Sequence, residues 1–400
     1  MPVTAPPSPR HALAPPEPAV TPPPSPTSPL SPLSRLRPAD LEVLWLYVVT
    51  RAAVWLTAYC TRWLFPAQGD TRVPEPVLAP FEHWDWGHFL HIARDGYFPG
   101  GDNREAFFPG FPLLLRAVHT VVPDWTVAGL LISLVAGAVA VVALARIAEL
   151  HLPPGSRAGR RAALFLLLSP CAVFLAVGYS EALFLAFALP AWLAAQRGNW
   201  PLAAVLATLA TGVRVSGLFL AAALAVHFLT TVRARRLRAL WLALPLLPAL
   251  LYFWYLYERT GDPMAWKHAQ ERGWYRFFRP PWEAWAQTWH EAFDHTQATG
   301  YAALFQADLA AMVLGLLLLA VLVRRRRWAE AVYIALTLWA LGTSYWYMSV
   351  ARSTLLWWPL WTLLAVRSLR GTRTTTAYLC LAAPLGTVLA VTFLSGRWAG

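Results

Sequence analysis

Long apolar runs recur along this chain with almost no charge inside them, and that pattern leaves few ways to fold. Segments near 42–64, 125–149, 161–177, 181–196, 200–213, 214–231, 239–257, 301–323, 328–346, 353–367 and 376–395 read as hydrophobic spans. About 20 apolar residues in a helix match the hydrocarbon thickness of a bilayer. A helix satisfies its own backbone there without water. The expected class is an all-α polytopic membrane protein with about eleven crossings. Composition agrees, since only 14% of the residues are charged, against about 25% in ordinary soluble domains. Many of the 22 tryptophans stand near the ends of apolar runs, where indole rings favour the headgroup zone.

The net charge of +12 raises the possibility of a nucleic-acid partner, but its distribution argues against one. The arginines fall in short clusters between apolar runs, with no basic groove motif interleaved with aromatics. They read as topology signals. Arg157, Arg160 and Arg161 mark one loop and Arg197 the next on the same side. Arg233, Arg235, Arg236 and Arg238 mark a third, Arg324 to Arg327 a fourth, and Arg367, Arg370 and Arg373 a fifth. With eleven crossings all five share a side with the N-terminus, and the positive-inside rule makes that side cytoplasmic. Lys267 is the only lysine, a bias that fits a GC-rich bacterial genome and hence a multi-pass protein of the plasma membrane. The loops at 65–110 and 258–300 then face outward.

Residues 1–38 hold 14 of the 34 prolines, as in 22-PPPSPTSPLSP-32. Such a segment has too little apolar content to pack and is expected to be a disordered cytoplasmic tail, followed by a membrane domain over 39–400. Cys60, Cys171 and Cys380 are far apart and show no metal spacing or disulfide framework.

Against this apolar background, 82-EHWDWGHFLHIARDGYF-98 gathers Glu82, His83, Asp85, His88, His91, Arg94 and Asp95 in an outward loop. Written as a helix over 82–95, it sets Asp85, His88, Ile92 and Asp95 near one face, and Trp84, His88, His91 and Asp95 on an overlapping one. Three readings fit: an amphipathic linker in the interface plane, a divalent-metal site from Asp85, His88 and His91 at successive i+3 steps, or a carboxylate placed to take a proton from an acceptor hydroxyl. The metal reading has no HExxH and no second cluster behind it, so no metal or cofactor is expected.

The run 84-WDWGHFLHIARDGYF-98 followed by 106-AFFPGFPLL-114 resembles the first extracytoplasmic loop of the PIG-V type mannosyltransferases, the GPI mannosyltransferase II family and its bacterial relatives. The matching residues are Trp84, Asp85, Phe89, Ile92, Ala93, Gly96, Tyr97 and Ala106 to Pro112. The similarity continues in 169-SPCAVFLAVGYSEALFL-185, which holds a YSE motif, in 206-LATLATGVRVSGL-218, and in 348-MSVARSTLLWWPLW-361, where Ser353 replaces the Tyr usual after the Arg. It covers most of 40–367. The resemblance implies a GT-C bundle with interfacial helices in the first outward loop, a catalytic acid there, and a polyprenyl-phosphate-mannose donor. A bacterial chain makes no GPI anchor, so the acceptor, whether glycan, lipid or protein, does not carry over.

The roles expected from these motifs are specific. Asp85 is the general base of a single inverting displacement. Arg352 and Arg214 offer guanidinium forks to the donor phosphate, with His88 assisting by a hydrogen bond. Trp84, Tyr97 and Glu181 are candidates for contact with substrate. For Glu181 the alternative is an acid favoured by the helix dipole beside a Ser180 cap. The loop 266-WKHAQERGWYRFFRPPWEAW-285 is a candidate cover for donor or acceptor. The competing function is a transporter or flippase for a lipid-linked sugar. That class places ionisable residues near the bilayer midplane, whereas these cluster toward the outer surface.

Overall fold

Every regular element described in a computed structural model of the protein is helical. The described residues are Met1, 36–65, 76–97, 103–153, 155–232 and 238–400. The Pro-rich segment lies almost wholly outside them, as do Arg233, Arg235 and Arg236.

The helices run in chain order: α1 Pro38–Leu64, α2 Asp85–Asp95, α3 Gly110–His119, α4 Trp125–Glu149, α5 Ala158–Leu167, α6 Ser180–Gln196, α7 Trp200–Val213, α8 Ser216–Thr231, α9 Leu247–Thr260, α10 Ala265–Trp274, α11 Pro281–Phe293, α12 Thr299–Arg324, α13 Trp328–Gly342, α14 Val350–Ser353, α15 Trp358–Ser368 and α16 Thr372–Leu394. Among the described residues, α1, α4, Ala239–Thr260, α12 and α16 are long and apolar enough to cross a membrane, while α6, α7, α8 and α13 are apolar but shorter. The protein is an integral membrane protein.

Burial separates an inner group from an outer one. In the apolar window of α4, 61% of residues are buried, against 22% in that of α16. α4 packs against α5 and α6, and α6 against α7. The peripheral helices turn Trp45, Leu56, Trp63, Leu250, Trp254, Leu317, Leu381 and Val388 outward. So much exposed apolar surface is a liability in water and suits lipid.

Each predicted span overlaps a helix, but not every one is unbroken α-helix. The span expected at 161–177 stops as a helix at Leu167, and a 3-10 turn follows at Ala172–Leu175. Pro170 is the cause. It has no N–H to continue the ladder and drives Ser169 out of the helical region. The span expected at 353–367 likewise starts with short turns, and α15 begins only with Pro359 in its first turn. Non-helical backbone is tolerated at membrane depth where protein buries it, and Cys171, Val173, Phe174, Leu175 and Val177 are all buried.

Candidate active site

α2 is amphipathic, as its sequence requires, but its faces divide differently from the sequence expectation. Asp85, Trp86, Phe89, Ile92 and Ala93 turn inward, while His91, Arg94 and Asp95 are exposed. Asp95 therefore does not share a face with Asp85. It lies 3.6 Å from His91 in an exposed i,i+4 pair. Ten residues of α-helix rotate the two carboxylates by roughly 80° relative to one another.

Three features fix the start of α2. Trp86 slots between Gly129 of α4 and Gly178, where an added Cβ would come within 2.5 and 2.7 Å of the indole. The Tyr179 hydroxyl accepts from the Asp85 backbone N–H at 3.1 Å and donates to the His83 carbonyl at 2.7 Å. Trp84, between them, holds φ 55° and ψ −116°, a strained backbone that persists only where the surroundings over-determine it. The GYSE motif thus clamps the WD motif, although 94 residues separate Tyr179 from Asp85.

The side chain of Asp85 meets an ion-pair chain. Arg352 Nη1 donates to Asp85 Oδ2 at 2.8 Å. The same guanidinium reaches Glu181 Oε1 through Nε at 2.7 Å and Nη2 at 2.6 Å. Arg214 Nη1 donates to Glu181 Oε1 at 2.8 Å and to Ser180 Oγ at 2.7 Å. Phe174 and Tyr179 lie under Arg352, their ring centres 4.5 and 4.8 Å from its Cζ, so the cation is also stabilised by π faces. Ser180 serves Arg214 and provides no N-terminal cap. Glu181 is a hub between two arginines, buried to 1% exposure. The turn carrying Arg352 is held from below, where Asp308 Oδ1 accepts from the Ala351 N–H at 2.8 Å. Asp308 stands in none of the family-like motifs, yet an acid inside the apolar run of α12 is itself a signal.

Two cavities meet at Asp85. One, of about 250 Å³, is lined by Asp85, Glu181, Arg214, Arg276, Arg352 and Trp266 among others. The second, of about 500 Å³, is lined by Asp85, His88, Trp84, Asp308 and the aromatic side chains of Tyr301, Phe305 and Trp346. Trp274, Ser349 and Trp398 border both. Asp85 Oδ1 accepts no hydrogen bond from any described residue.

The structure thus brings Asp85, Glu181, Arg214 and Arg352 together and sets His88 in the other cavity, stacked on Phe107 at 4.9 Å. Trp84 is exposed, meets Trp398 edge-to-face at 5.0 Å and donates to the Arg397 carbonyl at 3.1 Å. Tyr97 borders neither cavity. Its hydroxyl donates to the Phe107 carbonyl at 2.7 Å and its ring packs on Tyr252, so it fastens the loop; burial pushes its phenol far above the ordinary range. Asp85, His88 and His91 do not converge on one point. The AFFPGFP motif serves packing: a Cβ on Gly110 would lie 2.6 Å from the Gly212 carbonyl oxygen, so α3 crosses α7 in backbone contact.

Residues 43–240 match the family described as Mannosyltransferase (PIG-V). GPI alpha-1,6-mannosyltransferase 2 of Mus musculus is 37% identical over 173 residues, 40% of this chain and 34% of that protein. The chain belongs to the PIG-V family. GPI alpha-1,6-mannosyltransferase 2 of Homo sapiens is 38% identical over 169 residues, 39% of this chain and 33% of that protein. This PIG-V chain spans about a third of the length of the curated relatives it matches. ArnT from Cupriavidus metallidurans, solved bound to undecaprenyl phosphate, superposes with a TM-score of 0.50 at 15% identity, covering 87% of this chain and 63% of that one. At that identity the likeness is one of fold, which is GT-C.

Proposed function

We propose that this PIG-V protein is an inverting mannosyltransferase that moves mannose from a polyprenyl-phosphate carrier to a hydroxyl of an extracytoplasmic acceptor. The observation that carries the reading is the meeting of two cavities at one carboxylate. The arginine-lined cavity suits a phosphate-bearing donor, and the aromatic-lined one suits an acceptor whose sugar faces stack on rings. ArnT, of the same fold, is a protein solved with a lipid phosphate bound, which supports a lipid-linked donor here.

In this reading the acceptor oxygen attacks the anomeric carbon and Asp85 Oδ1 takes its proton. The bond from that carbon to the phosphate oxygen breaks, and its electron pair leaves with polyprenyl phosphate. Arg352 holds Oδ2 of Asp85 and so aims Oδ1 at the junction. A phosphate leaving group needs positive charge rather than a general acid. Glu181 orients Arg352 and Arg214, and His88 borders the acceptor side.

The orientation belongs to the same proposal. α6 begins at Ser180 and ends beside Arg197, α7 ends beside Arg214, and α13 begins beside Arg327 and ends on the approach to Arg352. The site residues therefore occupy the helix ends opposite the basic loops. With those loops cytoplasmic, the site faces a compartment without nucleotide sugars. The first test uses membranes supplied with radiolabelled polyprenyl-phosphate-mannose. A labelled acceptor bearing mannose of inverted anomeric configuration is expected. A retained configuration rules out the single displacement, and no transfer with folded protein removes the transferase reading.

A further inference from the structure

Three arginines line the cavity that holds Glu181, and they are not equivalent. Arg352 is paired with Asp85 and Glu181, and Arg214 with Glu181. Arg276 makes no ion pair and no side-chain hydrogen bond among the described residues, and its Nε is sealed from solvent without an acceptor. Asp85 and Asp308 act on it through the field without touching it, and Asp308 already accepts from the backbone of the Arg352 turn. Three cations against the two carboxylates of this lining leave one positive charge unmatched. Burial, and the charge of Arg214, push the Arg276 guanidinium down to about 10. A buried donor without an acceptor is costly, and an entering oxyanion removes that cost.

The backbone holds Arg276 in place. Tyr275 ends α10 with φ +52°. On its two sides Tyr345 N–H donates to the Tyr275 carbonyl at 3.2 Å and Arg279 N–H to the Thr343 carbonyl at 3.0 Å. These bonds tie the second outward loop to the strand of chain that leads into Arg352.

We propose that Arg276 is the principal phosphate-binding arginine of this site, and that its ligand is a phosphate ester carried on a polyprenyl chain. The identity of the lipid rests on the transferase reading above; the oxyanion does not. An arginine left unneutralised by the protein also favours the departing phosphate, which gains negative charge as the sugar leaves.

The test measures binding of undecaprenyl phosphate to the full-length purified protein in nanodiscs, beside undecaprenol and inorganic phosphate. Arg276→Gln is expected to weaken undecaprenyl phosphate by about 10- to 100-fold while leaving undecaprenol unchanged. Arg276→Lys should recover part of the loss. Arg279→Gln, an exposed neighbour paired with Glu283, should behave as wild type. Arg276→Gln with undiminished phosphate-ester affinity, or with an equal loss for undecaprenol, overturns the proposal. Inorganic phosphate binding as tightly as the lipid overturns the lipid part of it. Normal sugar transfer by Asp85→Asn, with Arg276-dependent binding intact, would remove the base assignment alone.

Discussion

Arg352 and Arg51 are both buried arginines, 7% and 5% exposed, and they are treated in opposite ways. Arg352 donates to two carboxylates and rests on two aromatic rings. Arg51, in α1, has Nε, Nη1 and Nη2 all buried without an acceptor among the described residues; its contact is the Tyr47 ring at 5.3 Å, beside a cavity of about 140 Å³. Burying an ion is expensive unless pairing and hydrogen bonds offset the loss of water. The fold invests its carboxylates where two cavities meet and leaves Arg51 to an aromatic face. Paired burial of this kind marks a built site; unpaired burial is a local cost.

The largest effect should follow from Arg352→Met. It leaves Asp85 and Glu181 facing one another with Arg214 as their one remaining ion-pair partner among the described residues, and removing one partner of a buried pair costs about 3–5 kcal/mol. Transfer should vanish and the unfolding temperature in detergent should fall. A protein of unchanged stability would break the contrast with Arg51 at its stronger end.

Asp85→Asn separates function from stability, because Glu181 still holds Arg352. Turnover is expected to drop by about 10²–10⁴-fold, measured per folded molecule in one membrane preparation, with only a modest change in unfolding temperature. Asp95→Asn, on the exposed side of α2, should cost less than about tenfold. If Asp95→Asn loses activity while Asp85→Asn keeps it, the base is a different carboxylate.

At Arg51 the sign should reverse. Arg51→Met removes an unpaired buried charge and keeps the stem that fills the space, so stability should be unchanged or rise by about 1 kcal/mol. Thermal unfolding of the purified protein reads this directly. A drop of several kcal/mol would mean that Arg51 has an essential partner and that the comparison is wrong.

The smallest effect is expected furthest from both arginines. Deleting residues 2–36 should leave turnover within about twofold, since so proline-rich a segment has little to pack. A hundredfold loss with normal membrane insertion would overturn that view.

Much of the architecture was legible because hydropathy is a property of contiguous residues. The runs behind α4, α6, α12 and α16 announce themselves one turn after another. The broken span at Pro170 was less visible, because its non-helical residues are as apolar as a helix and their burial comes from neighbours. At the site, Asp85, Glu181, Arg214 and Arg352 each stood in a recognisable motif, and Asp308 gave a signal as a charge within an apolar run. Arg276 gave none: in 266-WKHAQERGWYRFFRPPWEAW-285 it is one basic residue among five of its kind, counting the arginines and the lysine with His268.

The sequence by itself determined the membrane environment, the helical class and the loop that carries the acid, because each follows from local composition and short-range spacing. Only the tertiary structure decided which charges meet. Asp85 and Arg352 are 267 residues apart, and Glu181 and Arg352 are 171 apart. Ion pairing falls off over a few ångströms, so the partner of each charge is set by how α2, α6, the α7–α8 turn and α14 pack together. The same packing left Arg276 beside the cavity with no carboxylate of its own.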